Sequence, residues 1–139
     1  MKGMKQIEGG VTAAKGFEAA GVEAGIKYQN RKDMAMIYST VPCKVAGTFT
    51  TNVVKAAPVL WDKKLVETSP FVQAVVVNSG IANACTGKQG MVCCQAEAAC
   101  AGKLLGIPEN AVLIGSTGVI GMQIPVERIT AGIEKLAAA

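Results

Sequence analysis

The sequence predicts a single α/β domain, because segments typical of buried strands alternate with segments of helical pattern. Residues 72–77 form a short, valine-rich run that is typical of a buried strand. Residues 91–105 form a longer run of mostly small apolar residues that favours a helix. A third segment repeats apolar residues at helical spacing: Val126, Ile129, Ile133 and Leu136. A chain of 139 residues can bury one hydrophobic core, and no linker divides it, so residues 1–139 are predicted to form one domain.

Strand and turn patterns occupy the first half of the chain. Residues 1–10 predict a frayed or edge segment, and residues 16–27 predict a short strand followed by a turn. Two further strands are predicted at 33–39 and at 43–50, the second because it alternates and is rich in threonine. Pro42 lies between these segments and is predicted to mark a turn.

Helical patterns occupy the second half. A helix is predicted to begin near Pro58, because proline suits the first helical turn. Residues 91–105 are apolar nearly all round, so this helix is predicted to be buried, and Gly106 is predicted to cap it. The last helix is predicted to open at Pro125. It has no stop signal before residue 139, so we expect the chain to be part of a longer polypeptide.

The composition is that of a globular protein, with 50% hydrophobic and 17% charged residues. The net charge of +4 comes from scattered lysines and arginines with few aromatic residues among them, which argues against nucleic-acid binding. No segment approaches the roughly 18 apolar residues of a membrane span. The N-terminal residues lack the apolar core of a secretory signal. We therefore expect no nucleic-acid or membrane partner and a cytoplasmic location.

Five cysteines and the absence of histidine limit the chemistry of this chain. No C-x-x-C pair occurs, and the glycines do not match a nucleotide-binding motif, so neither a metal nor a cofactor is predicted. The cysteines are interpreted as small, buried residues in a reducing cytosol. Without histidine, neither a Cys–His pair nor a Ser–His–acid triad can form within the chain. Cys93 and Cys94 lie in the apolar helix, where burial is expected to raise the thiol pKa.

The segment AVLIGSTGVIG at residues 111–121 is the most informative part of the sequence. Residues 111–114 predict a buried strand that runs into three glycines spaced three apart around Ser116 and Thr117. Such a turn presents N–H groups and hydroxyls at one point, where they can stabilise negative charge on an oxygen. Thr117 and Gly118 are the candidate donors. The alternative is a glycine-rich connector without a chemical role, and the residue types leave both interpretations open.

A second polar segment, NSGIANACTG at residues 78–87, follows the predicted strand at 72–77. Its asparagines, hydroxyls and glycines could bind a ligand or support a neighbouring loop. They could equally form a turn whose side chains satisfy their own backbone. The chain thus offers an anion-stabilising turn without a recognisable nucleophile. Either it only binds a small anion, or the nucleophile comes from another polypeptide.

Four segments together resemble the ornithine acetyltransferase family, the bifunctional arginine-biosynthesis proteins with glutamate N-acetyltransferase activity. They are GGVTAAKGFEAAGVEAGIK at 9–27, VAGTFTTNVVKAAPV at 45–59, VVVNSGIANACTG at 75–87 and VLIGSTGVIGMQIPVERI at 112–129. The resemblance covers nearly the whole chain, as the N-terminal part of the family's α chain, and its last two motifs are long and specific.

The resemblance implies a layered α/β fold with sheets packed between helices, similar to the N-terminal-nucleophile hydrolases but connected differently. It implies a precursor that cleaves itself before a threonine, which becomes the nucleophile at the start of a β chain in an α2β2 assembly. It also implies acetyl transfer from N-acetyl-ornithine to glutamate through a threonine acyl-enzyme. Acetyl-CoA would be a co-substrate in some members, and no cofactor is implied.

Within this chain the resemblance implies an oxyanion pair at Thr117 and Gly118. It also predicts that four residues support the site: Asn78, Ser79, Gly80 and Asn83. The nucleophile and the side chains that bind the substrate would lie beyond residue 139, so the chain alone is expected to be inactive. Ile81 departs from the family pattern NSGNANA, which puts a polar role at this position in doubt. The alternatives are a non-catalytic module that binds small anions and an amide hydrolase of the N-terminal-nucleophile type.

Overall fold

The computed structural model describes residues 3–139 as a mixed α/β fold, which confirms the predicted class. The sheet contains four strands in the order β1 (Phe17–Val22), β2 (Met34–Cys43), β3 (Val72–Asn78) and β4 (Val112–Ser116). β1 and β3 each pair antiparallel with β2, whereas β3 and β4 are parallel. The described residues contain three α-helices: α1 (Ala57–Thr68), α2 (Gly87–Leu105) and α3 (Val126–Ala137). Short 3₁₀ turns lie at Val11–Ala13 and Glu109–Ala111.

The helices pack against one face of the sheet. Alternate residues of a strand point to opposite faces, and the register places Met36, Val76 and Ile114 side by side across three strands. All three are buried in a core that also contains helical residues: Trp61, Cys94, Ala98, Ala101, Ile129, Ile133 and Leu136. The apolar stripe predicted for the last helix is therefore confirmed. On the opposite face Val75 and Val77 are only half-buried.

One predicted strand does not form. Residues 44–50 have no regular structure, and Pro42 lies within β2 instead of marking a turn. The pairing of β2 with β3 is interrupted between Tyr38 and Cys43. A proline has no N–H to donate, so it fits where the ladder is broken. Because the pairing with β3 is interrupted there, β2 can continue through Pro42. The alternating sequence pattern did not reveal this continuation.

The helix predicted at 91–105 is longer and less buried than expected. α2 begins at Gly87, and its side chains Val92 and Leu104 are exposed. The reason is that the sheet, α1 and α3 cover only part of the helix surface. Gly106 ends α2 with φ +68°, as predicted, because glycine adopts this left-handed conformation at little cost.

The other two helices begin close to the predicted prolines. α1 contains Pro58 in its first turn, as expected. α3 begins at Val126, so Pro125 precedes the helix instead of lying in its first turn. Of the predicted N-terminal segment, residues 1 and 2 lie outside the described residues, and residues 3–10 contain no regular element. None of the helices in residues 3–139 is both long and apolar enough to cross a membrane.

Candidate active site

Two loops meet at the edge of the sheet where β3 and β4 end. Parallel strands have their carboxyl ends at the same edge, and α2 connects these two strands. We call residues 78–87 the asparagine loop and residues 115–121 the glycine loop. Each was predicted separately as a turn after a buried strand, and the topology brings them together.

Backbone hydrogen bonds join the two loops beyond the ends of the strands. The Thr117 N–H donates to the Asn78 carbonyl at 3.1 Å, and the Val119 N–H donates to the Gly80 carbonyl at 3.1 Å. In return, the Ala82 N–H donates to the Val119 carbonyl at 2.9 Å. The two loops therefore form one hydrogen-bonded unit in which the geometry of each depends on the other.

The Ser116 side chain also bridges the loops. Its hydroxyl accepts a hydrogen bond from the Asn83 N–H at 2.9 Å and donates to the Ile81 carbonyl at 3.3 Å. The Asn78 side-chain amide donates to the same carbonyl at 2.9 Å. Sequence analysis placed Ser116 in the turn but did not predict that it bridges the loops, because a serine at the end of a strand has no distinctive spacing.

Asn83 anchors the asparagine loop to the first turn of α2. Its side chain is 1% exposed, donates through Nδ2 to the Gly90 carbonyl at 2.9 Å and accepts the Thr86 hydroxyl at 2.6 Å. A Cβ at position 90 would overlap Thr86 Oγ1 and lie 2.6 Å from Asn83 Oδ1, so the close approach of the asparagine loop to α2 requires glycine at this position. The side chains of the asparagine loop thus form hydrogen bonds with nearby backbone groups, and the loop also supports the glycine loop. The sequence analysis treated these two roles as alternatives.

Ser79 and Asp33 connect the asparagine loop to the segment before β2. The Ser79 N–H donates to the Asp33 carbonyl at 2.8 Å. The buried Asp33 carboxylate accepts the N–H groups of Ala24 and Ile26, each at 2.7 Å. The turn between β1 and β2 is therefore fixed against the site.

Thr117 and Gly118 are exposed at the tip of the glycine loop. Within residues 3–139, neither the Thr117 hydroxyl nor the Gly118 N–H donates to a protein acceptor, whereas the Thr117 N–H is engaged. Gly118 has φ +133°, and a Cβ there would overlap the Gly80 carbonyl, so the position requires glycine. Two unengaged donors on adjacent residues can bind one oxygen anion. The hydroxyl, not the N–H, is the free donor of Thr117.

A sequence model of the ArgJ family matches residues 18–139. The chain belongs to the ArgJ family. Arginine biosynthesis bifunctional protein ArgJ from Thermotoga neapolitana is 52% identical over 122 residues, which are 87% of this chain and 30% of that protein. The ArgJ protein from Symbiobacterium thermophilum is 50% identical over 138 residues, 98% of this chain and 34% of that protein. The chain thus spans about a third of the length of these relatives.

Two solved structures share the fold of this ArgJ chain. Arginine biosynthesis bifunctional protein ArgJ from Bacillus halodurans has a TM-score of 0.87 at 44% identity, and the match covers 92% of this chain and 66% of that chain. Ornithine acetyltransferase from Mycobacterium tuberculosis, complexed with ornithine, has a TM-score of 0.88 at 40% identity, and the match covers 93% of this chain and 69% of that chain.

Ile81 stands where the resemblance led us to expect an asparagine in this ArgJ chain. Its side chain is 5% exposed and belongs to the hydrophobic core. Its carbonyl accepts the bonds from Asn78 and Ser116. The hydrogen bonds between the loops therefore use the backbone of Ile81, while its side chain packs in the hydrophobic core.

Two carboxyl groups in the helical layer, the half-buried Asp62 and the buried Glu97, were not predicted. Asp62 of α1 accepts the Ile114 N–H at 2.9 Å, and burial raises the pKa of its carboxyl to about 6. Glu97 of α2 is 1% exposed, and within residues 3–139 neither of its carboxyl oxygens has a hydrogen-bond partner. Burial raises the pKa of Glu97 to about 8. The available signal was a lone acidic residue in the apolar segment 91–105.

The cysteines of this ArgJ chain are free, and four of the five are at least half-buried. Burial raises the pKa of the Cys93 and Cys94 thiols, that of Cys94 to about 12, which confirms the expectation for these two residues. Cys85 departs from the predicted burial, since it is exposed in the asparagine loop with φ +57°. Among the described residues, no three cysteine, histidine or acidic side chains are grouped as metal ligands would be.

Proposed function

We propose that this chain is part of the α chain of a glutamate N-acetyltransferase and that Thr117 and Gly118 bind the oxyanion formed during acetyl transfer. The observation that carries the proposal is a pair of donors that no acceptor in residues 3–139 engages, the Thr117 hydroxyl and the Gly118 N–H, at the edge where β3 and β4 end. The relatives named arginine biosynthesis bifunctional protein and ornithine acetyltransferase support it.

In the proposed reaction, the nucleophile is the N-terminal threonine of a β chain that arises by self-cleavage of a precursor. Its hydroxyl attacks the acetyl carbonyl of N-acetyl-ornithine, and its own α-amine takes up the hydroxyl proton. The carbonyl oxygen becomes the anion that Thr117 and Gly118 bind. Collapse of the intermediate returns the proton to the departing ornithine amine and leaves the acetyl group on threonine. The amine of glutamate then attacks this ester, and its proton passes through the threonine α-amine to the threonine oxygen as the ester bond breaks. N-acetyl-glutamate leaves, and the threonine hydroxyl is regenerated.

The proposal also concerns the assembly. The partner of this chain would be the β chain, in an α2β2 complex with the layered fold of the N-terminal-nucleophile hydrolases but different connections. Acetyl-CoA would be an additional acetyl donor, and no cofactor is needed. A cytoplasmic location stays a prediction, because a relative from rice is named as chloroplastic.

Acetyl transfer from N-acetyl-ornithine to glutamate tests the proposal directly. The chain should show no turnover by itself and should turn over as part of the complete α chain assembled with the β chain. Turnover by the chain alone would contradict a nucleophile on another polypeptide. If the assembled protein releases acetate equally fast without glutamate, it is an amide hydrolase. Tight binding of glutamate without any turnover would favour a binding module.

Substitution of Thr117 tests the role of its hydroxyl. In the assembled enzyme, Thr117→Ala should lower kcat by roughly 10²- to 10³-fold and change KM little, because the lost donor acts on charge that develops only in the transition state. Thr117→Ser should retain most of the activity. Thr68→Ala is the matched control, since its hydroxyl bonds the Lys64 carbonyl within α1. An unchanged kcat in Thr117→Ala would reject the oxyanion role.

A further inference from the structure

Side chains of α1 bind the backbone of β4 on the side that faces away from β3. Within residues 3–139, β4 is the edge strand of the sheet and pairs only with β3. Trp61 Nε1 donates to the Val112 carbonyl at 3.0 Å, and Asp62 Oδ1 accepts the Ile114 N–H at 2.9 Å. A buried backbone group needs such a partner, and Ile114 is 1% exposed. The two side chains thus take the place of a further strand.

The same helix is also joined to the asparagine loop. The N–H of Ala57, the first residue of α1, donates to the Asn83 carbonyl at 3.2 Å. Ala57, Trp61 and Leu65 are buried in the core, so the helix is itself held in place. Ala57 and Asp62 are about 8 Å apart along the helix axis. One rigid element therefore connects the asparagine loop to β4.

Ile114 lies only three residues before Thr117. The Thr117 N–H reaches the Asn78 carbonyl because β4 keeps its register with β3 up to Ser116. A contact that fixes the backbone at Ile114 therefore acts on Thr117 through two residues of extended strand. The donors of the candidate site are held from this side as well as through the asparagine loop.

Stability alone does not account for a carboxylate at position 62. Burial raises the pKa of Asp62 from 3.8 to about 6, so ionisation disfavours the fold as the pH rises from the first value to the second. No cation in residues 3–139 forms a salt bridge with this carboxylate. At pH 7 the carboxyl is ionised, and its bond to the Ile114 N–H is of the strong, charge-assisted kind.

We propose that Asp62 is a positioning residue for the oxyanion donors: its carboxylate holds β4 at Ile114 against α1 and so fixes Thr117 and Gly118 relative to the asparagine loop. The inference rests on the proposed function. Asp62 touches neither the substrate nor the reacting atoms in this proposal. It acts through the strand, because donors to an oxyanion must be in place before the charge develops.

Two substitutions of similar size test the role of the acceptor in the assembled enzyme. Asp62→Leu removes it and should lower kcat by roughly ten- to a hundredfold with little change in KM, because misplaced donors weaken binding of the transition state. Asp62→Asn keeps an oxygen that can accept the Ile114 N–H, so kcat should stay within about threefold of the wild type. Asp62→Asn should also raise the melting temperature at pH 7, because burial does not penalise a neutral amide.

Trp61→Phe is the matched control. It removes the bond to the Val112 carbonyl on the same side of β4 but keeps an aromatic ring in the core. This bond lies farther from Thr117, so the control should lower the melting temperature and leave kcat close to that of the wild type. If Asp62→Leu does not fold, Asp62→Ala takes its place as the variant without an acceptor.

Three outcomes would overturn the positioning role: an unchanged kcat without the acceptor, equal losses in Asp62→Leu and Asp62→Asn, or equal losses in Asp62→Leu and Trp61→Phe. If the wild-type assembly transfers no acetyl group, the proposed function fails and hydrogen exchange decides the inference. Amide exchange of residues 115–121 should then rise in Asp62→Leu and stay at the wild-type level in Asp62→Asn and Trp61→Phe. Unchanged exchange in Asp62→Leu would refute the role.

Discussion

The Asn83 N–H donates to the Ser116 hydroxyl at 2.9 Å, and so joins the loop after β3 to the last residue of β4. The same hydroxyl donates to the Ile81 carbonyl at 3.3 Å. This oxygen atom therefore helps the backbone hydrogen bonds between the two loops to fix their spacing next to Thr117. The donors of the candidate site depend on this spacing, because oxyanion stabilisation requires donors held in place before the charge develops.

Replacing Ser116 by alanine should lower both stability and activity. The substitution leaves the Asn83 N–H without its partner, which costs about 1–3 kcal/mol. It also loosens the position of Thr117, so kcat of the assembled enzyme should fall by roughly ten- to a hundredfold. Ser69→Ala is the control, because it removes a hydroxyl bond to the Asn110 carbonyl at 2.7 Å, away from the site. Urea denaturation and kcat are measured for both variants. Equal kcat values for Ser116→Ala and Ser69→Ala would assign Ser116 a purely structural role.

Gly118→Ala and Gly121→Ala should differ although both glycines have positive φ, +133° and +86°. An alanine at position 118 overlaps the Gly80 carbonyl, so the loops must separate. At position 121, a Cβ meets no atom within 4 Å, and the cost is limited to backbone strain of about 1–3 kcal/mol. We expect Gly118→Ala to abolish turnover and Gly121→Ala to lower only the melting temperature. Similar kcat values for the two variants would show that the close approach at Gly118 is unimportant.

Asn83→Asp should destabilise the protein far more than Asn52→Asp. The Asn83 amide donates from Nδ2 to the Gly90 carbonyl, and a buried carboxylate would replace this donor. The expected loss in the free energy of unfolding is on the order of 3 kcal/mol. Asn52 is exposed and accepts the Val54 N–H through Oδ1, a bond that aspartate retains. Denaturation at pH 7 compares the two variants, and equal stabilities would contradict the assignment of Nδ2 as the essential donor.

The strands β3 and β4 and their loops could be predicted because the signals are local. A valine-rich run that ends in Asn78–Gly80, and an apolar run that ends in Gly115, each mark a buried strand and its turn. The sequence could not reveal which hydrogen-bond donors of the glycine loop remain free to bind a ligand. The Thr117 N–H is engaged only because the parallel pairing places Asn78 beside it.

The failed strand prediction and the unpredicted burial of Glu97 have the same origin in tertiary contacts. The segment predicted as a strand at 43–50 has a strand-like alternation, but among the described residues only Cys43 is paired, as the end of β2, and alternation without a partner does not make a sheet. The burial of Glu97 arises because α2 presents it to the core that α2 forms with the other helices and the sheet. Nothing in the spacing of neighbouring residues distinguishes such a glutamate from an exposed one.

Glu97 should make the stability of this chain depend on pH. Its carboxyl has a pKa of 4.5 when exposed and about 8 in the fold, because burial disfavours the ionised form. Between these two values the folded state binds more protons than the unfolded state. Stability therefore falls as pH rises through this window and reaches its full loss, on the order of 5 kcal/mol, above pH 8. Below the ordinary pKa of the carboxyl there is no loss, since both states are protonated.

Glu97→Gln removes this titration while keeping the size of the side chain. The free energy of unfolding of the variant should be close to that of the wild type at pH 5 and exceed it by several kcal/mol at pH 8. Glu134→Gln, at an exposed position of α3, is the control and should show no such divergence. Urea denaturation at half-unit steps of pH measures all three proteins. A difference between wild type and Glu97→Gln that stays constant from pH 5 to pH 8 would mean that the folded protein stabilises the ionised carboxylate. Within residues 3–139 the carboxyl group is buried and neither oxygen has a hydrogen-bond partner, which argues against that result.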